Sequence, residues 1–371
     1  MVMEVLERAQ AMEKCGQRVI HLEVGEPDFD TPEPIKEAAI KAIKDGKTGY
    51  THSLGLQELR EAIAEYYCRI YQLSDLDPEQ VIVTSGTSPA MLLAFAAILK
   101  PGDEIIISDP HYACYPNFVK FFRGNPTTIP IYEDSGFQYN VEDIKQKLTP
   151  RTKGILINSP SNPTGTMLSE ETLKSLSKLD ILVLSDEIYH GLTYGEEAHS
   201  MLEYTNNCIV FNGFSKLYAM TGWRLGYLIV PKDLIRPIQI MHQNFFISAN
   251  SISQWAGVAA LTEPEVENYI REMVEIYDRR RKVLIKGLKE LGFGIQSEPN
   301  GAFYVLANAR KFTTNSYDFA FKILEKACVG VTPGIDFGEN AEGYIRFAYA
   351  NSLENIEEAL SRLRQFLKSL N

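Results

Sequence analysis

Ser215-Lys216-Leu217-Tyr218-Ala219-Met220-Thr221-Gly222-Trp223-Arg224-Leu225-Gly226 is the run on which the reading of this sequence turns. A lysine becomes a nucleophile only after losing its proton, which a polar, partly buried turn favours. This run supplies a hydroxyl at Ser215, an amine at Lys216 and a guanidinium at Arg224. Two glycines, Gly222 and Gly226, let backbone or ligand come close. A hydroxyl and a guanidinium around one spot suit a bound phosphate. An amine beside that phosphate suits a carbonyl compound held as a Schiff base, and pyridoxal phosphate carries both groups.

Outward from this run, short apolar segments alternate with helical ones from about residue 80 to 230. The pattern predicts strands at 81–84, 104–108, 127–131, 154–158, 181–185, 209–212 and 225–230, with helices at 89–99, 141–148 and 169–178. Such alternation implies an α/β fold with a mainly parallel sheet covered by helices on both faces. It leaves open whether one strand near the sheet's end runs antiparallel. After Pro264 the pattern changes to a long charged helix over 265–291. Its run Arg279-Arg280-Arg281-Lys282 reads as a solvated helix face. A strand near 301–306, a helix at 316–326, a strand at 344–348 and a final helix at 353–370 then describe a smaller α+β domain.

The 371 residues suffice for one large domain and a smaller one. With 45% hydrophobic and 23% charged residues the composition is that of a soluble globular chain. No apolar run reaches the length of a membrane span. Residues 1–18 carry Glu4, Glu7 and Glu13 among apolar positions, which suits an amphipathic helix and not a signal peptide. A net charge of −11 argues against nucleic-acid binding, which needs a positive footprint. Cys15, Cys68, Cys114, Cys208 and Cys328 are scattered and without CxxC spacing, as for reduced thiols in a cytoplasm. The six histidines show no HExxH pairing, so neither a structural nor a catalytic metal is expected.

Several side chains stand where such a sheet binds ligands, beyond the carboxyl ends of its strands. Asp186 ends the apolar run 181–185, where a carboxylate can pair with a protonated pyridine nitrogen. Taken alone, it would cap the next turn. Gly86, Thr87 and Ser88 lead from a strand into a helix whose first-turn amides can take an anion. Taken alone, they are an N-cap. Asn162 sits in a Pro- and Gly-rich turn. Arg346 lies within the strand 344–348, and a buried arginine needs a partner. That partner is either a substrate carboxylate gripped through two parallel bonds or a carboxylate at a domain interface.

The chain resembles the class I/II aminotransferases, fold-type I pyridoxal-phosphate enzymes. The resemblance rests on Gly25-Glu26-Pro27-Asp28-Phe29, Tyr50 with Gly55 and Leu59-Arg60, and Thr84-Ser85-Gly86-Thr87-Ser88. It continues through Pro110-His111-Tyr112, Asn162-Pro163-Thr164-Gly165, Asp186-Glu187-Ile188-Tyr189, the Lys216 run and Arg346. These occur in the family's order over roughly residues 20 to 365. The resemblance implies a seven-stranded large domain over 41–275. It implies a small domain joined from 1–40 and 276–371, and a homodimer with shared active sites.

By the same resemblance, Lys216 holds pyridoxal phosphate as a Schiff base and moves the α-proton, while Asp186 pairs with the ring nitrogen. Tyr189 and Asn162 flank the ring oxygen, and the Asn162–Pro163 bond is cis. Tyr112 stacks on the ring, and Tyr115 and Cys114 are wall residues. Gly86, Thr87, Ser88, Ser215 and Arg224 hold the phosphate, with Tyr50 from the neighbouring subunit. Arg346 and Gly25 receive the substrate α-carboxylate, so binding would draw the domains together. The implied reaction moves an amino group from an L-amino acid to a 2-oxo acid such as 2-oxoglutarate by a ping-pong mechanism. The fold also serves C–S β-lyases and synthases. It serves cofactor-binding regulators too, for whose DNA-binding module the motifs leave no room upstream of residue 25. The side chain of the substrate is left open, with Tyr50, Tyr112, Tyr115 and Phe303-Tyr304 available for an apolar or aromatic pocket.

Overall fold

The computed structural model describes residues 2–370; the outermost ends of the expected terminal segments, residues 1 and 371, lie outside it. Twelve strands follow in chain order. They are β1 Ile20–His21, β2 Val81–Thr84, β3 Glu104–Asp109, β4 Asn125–Pro130, β5 Thr152–Asn158 and β6 Leu182–Asp186. Then come β7 Cys208–Gly213, β8 Gly226–Ile229, β9 Tyr304–Asn308, β10 Val329–Gly330, β11 Thr332–Pro333 and β12 Tyr344–Ala348. Seven form one sheet in the order β2-β8-β7-β6-β5-β3-β4. The antiparallel strand that the sequence pattern left open is β8, second from the edge, paired against both β2 and β7. β7, β6, β5, β3 and β4 are parallel to one another.

These strands read as continuous apolar runs because both sheet faces are covered. Side chains alternate across a strand, and the core divides accordingly. Ile106, Ile155, Ile157, Val183 and Val210 fill one side. Ile105, Ile107, Leu156, Leu184, Ile209 and Phe211 fill the other, against helix Thr87–Ile98, which is apolar from Pro89 onward. The carboxyl ends of β2, β3, β5, β6 and β7 lie at one edge of the sheet, and the segments with Gly86, Tyr112, Asn162, Asp186 and Lys216 stand there.

The small domain holds the antiparallel sheet β11-β12-β9, with Arg346 of β12 opposite Thr332 and Leu306. Its N-terminal contribution is visible as parallel pairing of β1 with β10, and as the Ala348 amide donating to Leu22 O at 2.7 Å. Helix Val2–Lys14 packs Val5, Ala9 and Met12 on Leu324. The structure adds helices Glu33–Lys44, Gln57–Ile70, Lys232–Phe245 and Ser251–Thr262 to those legible from the sequence. Among the described residues no helix is long and apolar enough to cross a membrane.

One reading is corrected. The basic run in helix Pro264–Leu291 is not a solvated face: Arg280 is buried, pairs with Asp28 at 2.8 Å and lies over Phe29 and Tyr277. Arg281 bonds Asp278 and Pro299 O. Of the four, Arg279 and Lys282 stay in solvent.

The joint between β1 and the C-terminal strands carries a titrating contact. His21 Nδ1 lies 2.6 Å from Glu23 Oε1 and its Nε2 3.1 Å from Glu13 Oε1. The Glu23 bond outweighs desolvation and raises the imidazole from 6.5 to about 9. A raised folded value means this stabilisation is full below 6.5 and is lost as pH rises through about 9. The gap in unfolding free energy between wild type and His21→Gln, followed by urea titration, should be widest at mildly acidic pH. It should narrow as pH passes about 9; a pH-independent gap would contradict the assignment.

Candidate active site

Lys216 lies in the turn that follows β7, and its Nζ donates to the carbonyl of Gly25 at 2.5 Å. Desolvation pushes the amine down to about 8, with Glu26 opposing and the Arg346 and Arg224 charges adding to the fall. Asp186, the last residue of β6, lines the same cavity of about 470 Å³. Burial pushes its carboxyl up to about 6. The Tyr115 hydroxyl opposes this, donating to Oδ2 at 2.6 Å, as does the Ile188 amide, donating to Oδ1 at 3.2 Å.

Arg346 is buried at the centre of the small sheet. Nη1 donates to Asn162 Oδ1 at 2.8 Å, and Nη2 donates to Glu23 O at 2.6 Å and Thr332 Oγ1 at 3.1 Å. Its Nε is buried without a partner. The guanidinium lies over the rings of Tyr304 and Phe337, at 4.4 and 4.9 Å. No carboxylate among the described residues pairs with it, so the structural ion pair left open by the sequence is not there. A buried cation held only by neutral oxygens and ring faces keeps its charge for an incoming anion.

Gly86 caps helix Thr87–Ile98 at φ 101° with no side-chain cap, leaving first-turn amides available. A Cβ on Gly86 would stand 2.7 Å from Arg224 Nη2. Arg224 also donates to Thr221 O at 2.8 Å. With Ser85 and Asn250 it lines an adjoining cavity of about 620 Å³.

The first cavity therefore gathers Gly25, Thr87, Ser88, Tyr112, Asn162, Asp186, Tyr189, Lys216 and Arg346. Gly86 and Arg224 meet each other without lining this cavity, and Ser215 is half-buried beside Lys216. Tyr50 joins neither cavity and is 85% exposed. The Asn162–Pro163 bond is cis.

Two tyrosines do more than the sequence suggested. Tyr115 is not a plain wall residue, because its hydroxyl fixes Asp186. Tyr304 shares a hydrogen bond of 2.9 Å with the Tyr189 hydroxyl, and its own hydroxyl occupies the space that a Cβ on Gly25 would need.

The family model for aminotransferase class I and II matches residues 17–363. The chain belongs to the class I and II aminotransferases. It is 43% identical to the (5-formylfuran-3-yl)methyl phosphate transaminase of Methanocaldococcus jannaschii, over 99% of this chain and 96% of that one. It is 40% identical to the aspartate aminotransferase of Pyrococcus horikoshii, over 99% and 94%. The structure of the Thermus thermophilus aspartate aminotransferase with maleate superposes with a TM-score of 0.94 at 39% identity, covering 98% of this chain and 96% of that one. The aminotransferase is thus an α/β enzyme of the transferase class, and its family implies pyridoxal phosphate.

The residues present fit that group. The glycine cradle at Gly86 would be filled by any Cβ, Arg224 stands against it, and a buried carboxylate and a buried amine share the neighbouring cavity. Gly226 shapes this cradle from β8: a Cβ there would lie 2.7 Å from Gly86 C and 2.8 Å from Thr87 N, both backbone atoms. Gly226→Ala should cost about 1–3 kcal/mol in thermal unfolding and weaken pyridoxal-phosphate uptake. Gly222→Ala, whose Cβ meets nothing within 4 Å, should change neither.

Proposed function

We propose that this aminotransferase works with pyridoxal phosphate, moving an amino group from an L-amino acid to a 2-oxo acid such as 2-oxoglutarate through Lys216. The observation that carries the reading is the Lys216 amine, which desolvation brings down to about 8 in a cavity shared with Asp186 and Arg346. The cofactor, when bound, supplies an aldehyde for amines and a ring that accepts charge from the substrate α-carbon.

The chain's own residues do the rest. Gly86, Thr87 and Ser88 offer amides and hydroxyls to the phosphate, together with Ser215 and Arg224. Asp186, oriented by Tyr115 and the Ile188 amide, would pair with the ring nitrogen; a cation there would draw its carboxyl back toward ionisation. Tyr112 would pack on the ring, and Tyr189 and Asn162 would serve the ring oxygen. Arg346 takes the α-carboxylate of the substrate, with Gly25 alongside. Lys216 Nζ, neutral above about 8, takes up the α-proton as general base and gives it back as general acid. Because the donor gives up its amino group and departs as a 2-oxo acid before a second 2-oxo acid takes that group up, the kinetics are ping-pong.

A homodimer completes this reading. Tyr50 is exposed and lines neither cavity of its own chain, which suits delivery to the phosphate site of a second copy. The five cysteines are all unpaired, which supports a cytoplasmic location.

The purified protein should be yellow, and a donor amino acid alone should bleach it to a stable form that a 2-oxo acid restores. Release of ammonia and pyruvate without lasting bleaching would favour a lyase instead. Lys216→Ala should lose turnover by about 10³-fold or more while keeping its fold by circular dichroism. Full activity in that variant would refute the assignment.

A further inference from the structure

Resting on the site reading above, we propose that the pocket selects amino donors with a large uncharged side chain, aliphatic or aromatic, over aspartate. The argument concerns the part of the cavity beyond Lys216 and Arg346, which neither cation fills. From Arg346 the wall can be followed outward through its contacts. Phe337 lies 4.9 Å from the guanidinium. Asp336, its neighbour in the chain, accepts the Val2 amide at 3.1 Å. Val2 and Met3, at the start of helix Val2–Lys14, then close this side of the cavity. Met91 and Phe118 contribute from helices Thr87–Ile98 and Tyr115–Phe121. Apart from Asp336 and Asn117 this lining is apolar, and the unbranched methionines can repack around differing ring or alkyl shapes.

Charge makes the same distinction. The charged side chains lining the cavity, among the described residues, are Lys216, Arg346, Asp186 and Asp336. Arg346 is committed to the α-carboxylate and Lys216 to the reacting carbon. The two that remain are acids, and neither can pair with a second carboxylate. An aspartate side chain would therefore bring an anion to a wall that offers methyl, thioether and phenyl groups and the Asp336 carboxylate. That penalty exceeds any gain from packing its single methylene. A phenylalanine or leucine side chain removes its own apolar surface from water there and leaves nothing unpaired. The selectivity is thus built by both attraction and exclusion.

The test uses the cofactor-loaded protein and reads the first half-reaction alone, without a 2-oxo acid. Phenylalanine and leucine should bleach the protein with an apparent second-order rate constant at least about tenfold above that of aspartate. A binding measurement independent of turnover should agree, with 3-phenylpropionate held at least about tenfold more tightly than maleate by calorimetry. Met3→Lys places a cation on the apolar wall at a residue 61% exposed, where the fold does not depend on it. It should shift the aspartate-to-phenylalanine ratio toward aspartate by about tenfold. Aspartate bleaching as fast as phenylalanine overturns the selectivity and leaves the transaminase reading standing. An unchanged ratio in Met3→Lys overturns the placement of the side-chain end. Failure of every amino acid to bleach a loaded, yellow protein overturns the site reading on which the proposal rests.

Discussion

The carbonyl oxygens of Glu23 and Gly25 hold the two cations of the site. Glu23 O accepts from Arg346 and Gly25 O from Lys216, so one short segment ties the small sheet to the turn that follows β7. Neutral acceptors are what this arrangement requires. A carboxylate in either place would neutralise the cation and raise the lysine amine, whereas a carbonyl satisfies a donor and leaves the charge in place. The geometry depends on Gly25 having no side chain, since the Tyr304 hydroxyl stands where its Cβ would be. Tyr304 in turn lies beneath Arg346 and bonds Tyr189. Substrate anchor, amine and phenol are thereby set by one close approach of backbone to side chain.

A second polar system lies behind the site. Asp186 turns toward the cavity, and Glu187, next in the chain, turns into the protein. Glu187 accepts from Ser185 Oγ, Ser200 Oγ, the Met201 amide and Tyr67 OH, at 2.9, 3.1, 3.0 and 3.3 Å. Burial pushes its carboxyl up to about 7 and pushes His190 down to about 3. His190 Nδ1 meets Tyr71 OH at 2.6 Å. Four converging donors on one carboxylate fix the strand end and the turn after it far more firmly than apolar contact would. The residues so fixed include both Asp186 and Tyr189.

The parts of this enzyme legible in the sequence are those written locally. Buried parallel strands announce themselves as apolar runs, and Lys216, Asp186 and Arg346 stand in segments whose chemistry is readable residue by residue. Tyr115 was not legible as a partner of Asp186, because the two are 71 positions apart and only the order β6-β5-β3 brings them together. Arg280 was misread for a different reason. It falls on the stripe Met273, Tyr277, Arg280, Leu284, Leu288 that helix Pro264–Leu291 buries, at the spacing of one helical face. A run of four basic residues drew attention to charge where periodicity held the answer. Tyr50 illustrates a third limit: the role proposed for this 85% exposed side chain needs a second copy, and a single chain does not display it.

The two ends of the substrate pocket rest on different kinds of support, and that difference bears on how such enzymes diverge. Arg346 sits mid-strand, with β11 on one side and β9 on the other, so moving it would disturb a sheet. The side-chain end is built from the first residues of helices and the short turn Gly334–Phe337, each of which can change a residue without breaking a ladder of hydrogen bonds. On the proposed reading, a fixed arginine for the shared α-carboxylate beside a replaceable wall would let one fold keep its chemistry while its substrate changes. The relatives named for aspartate and for a furanyl phosphate, at 40% and 43% identity over nearly the whole chain, are what such an arrangement would produce.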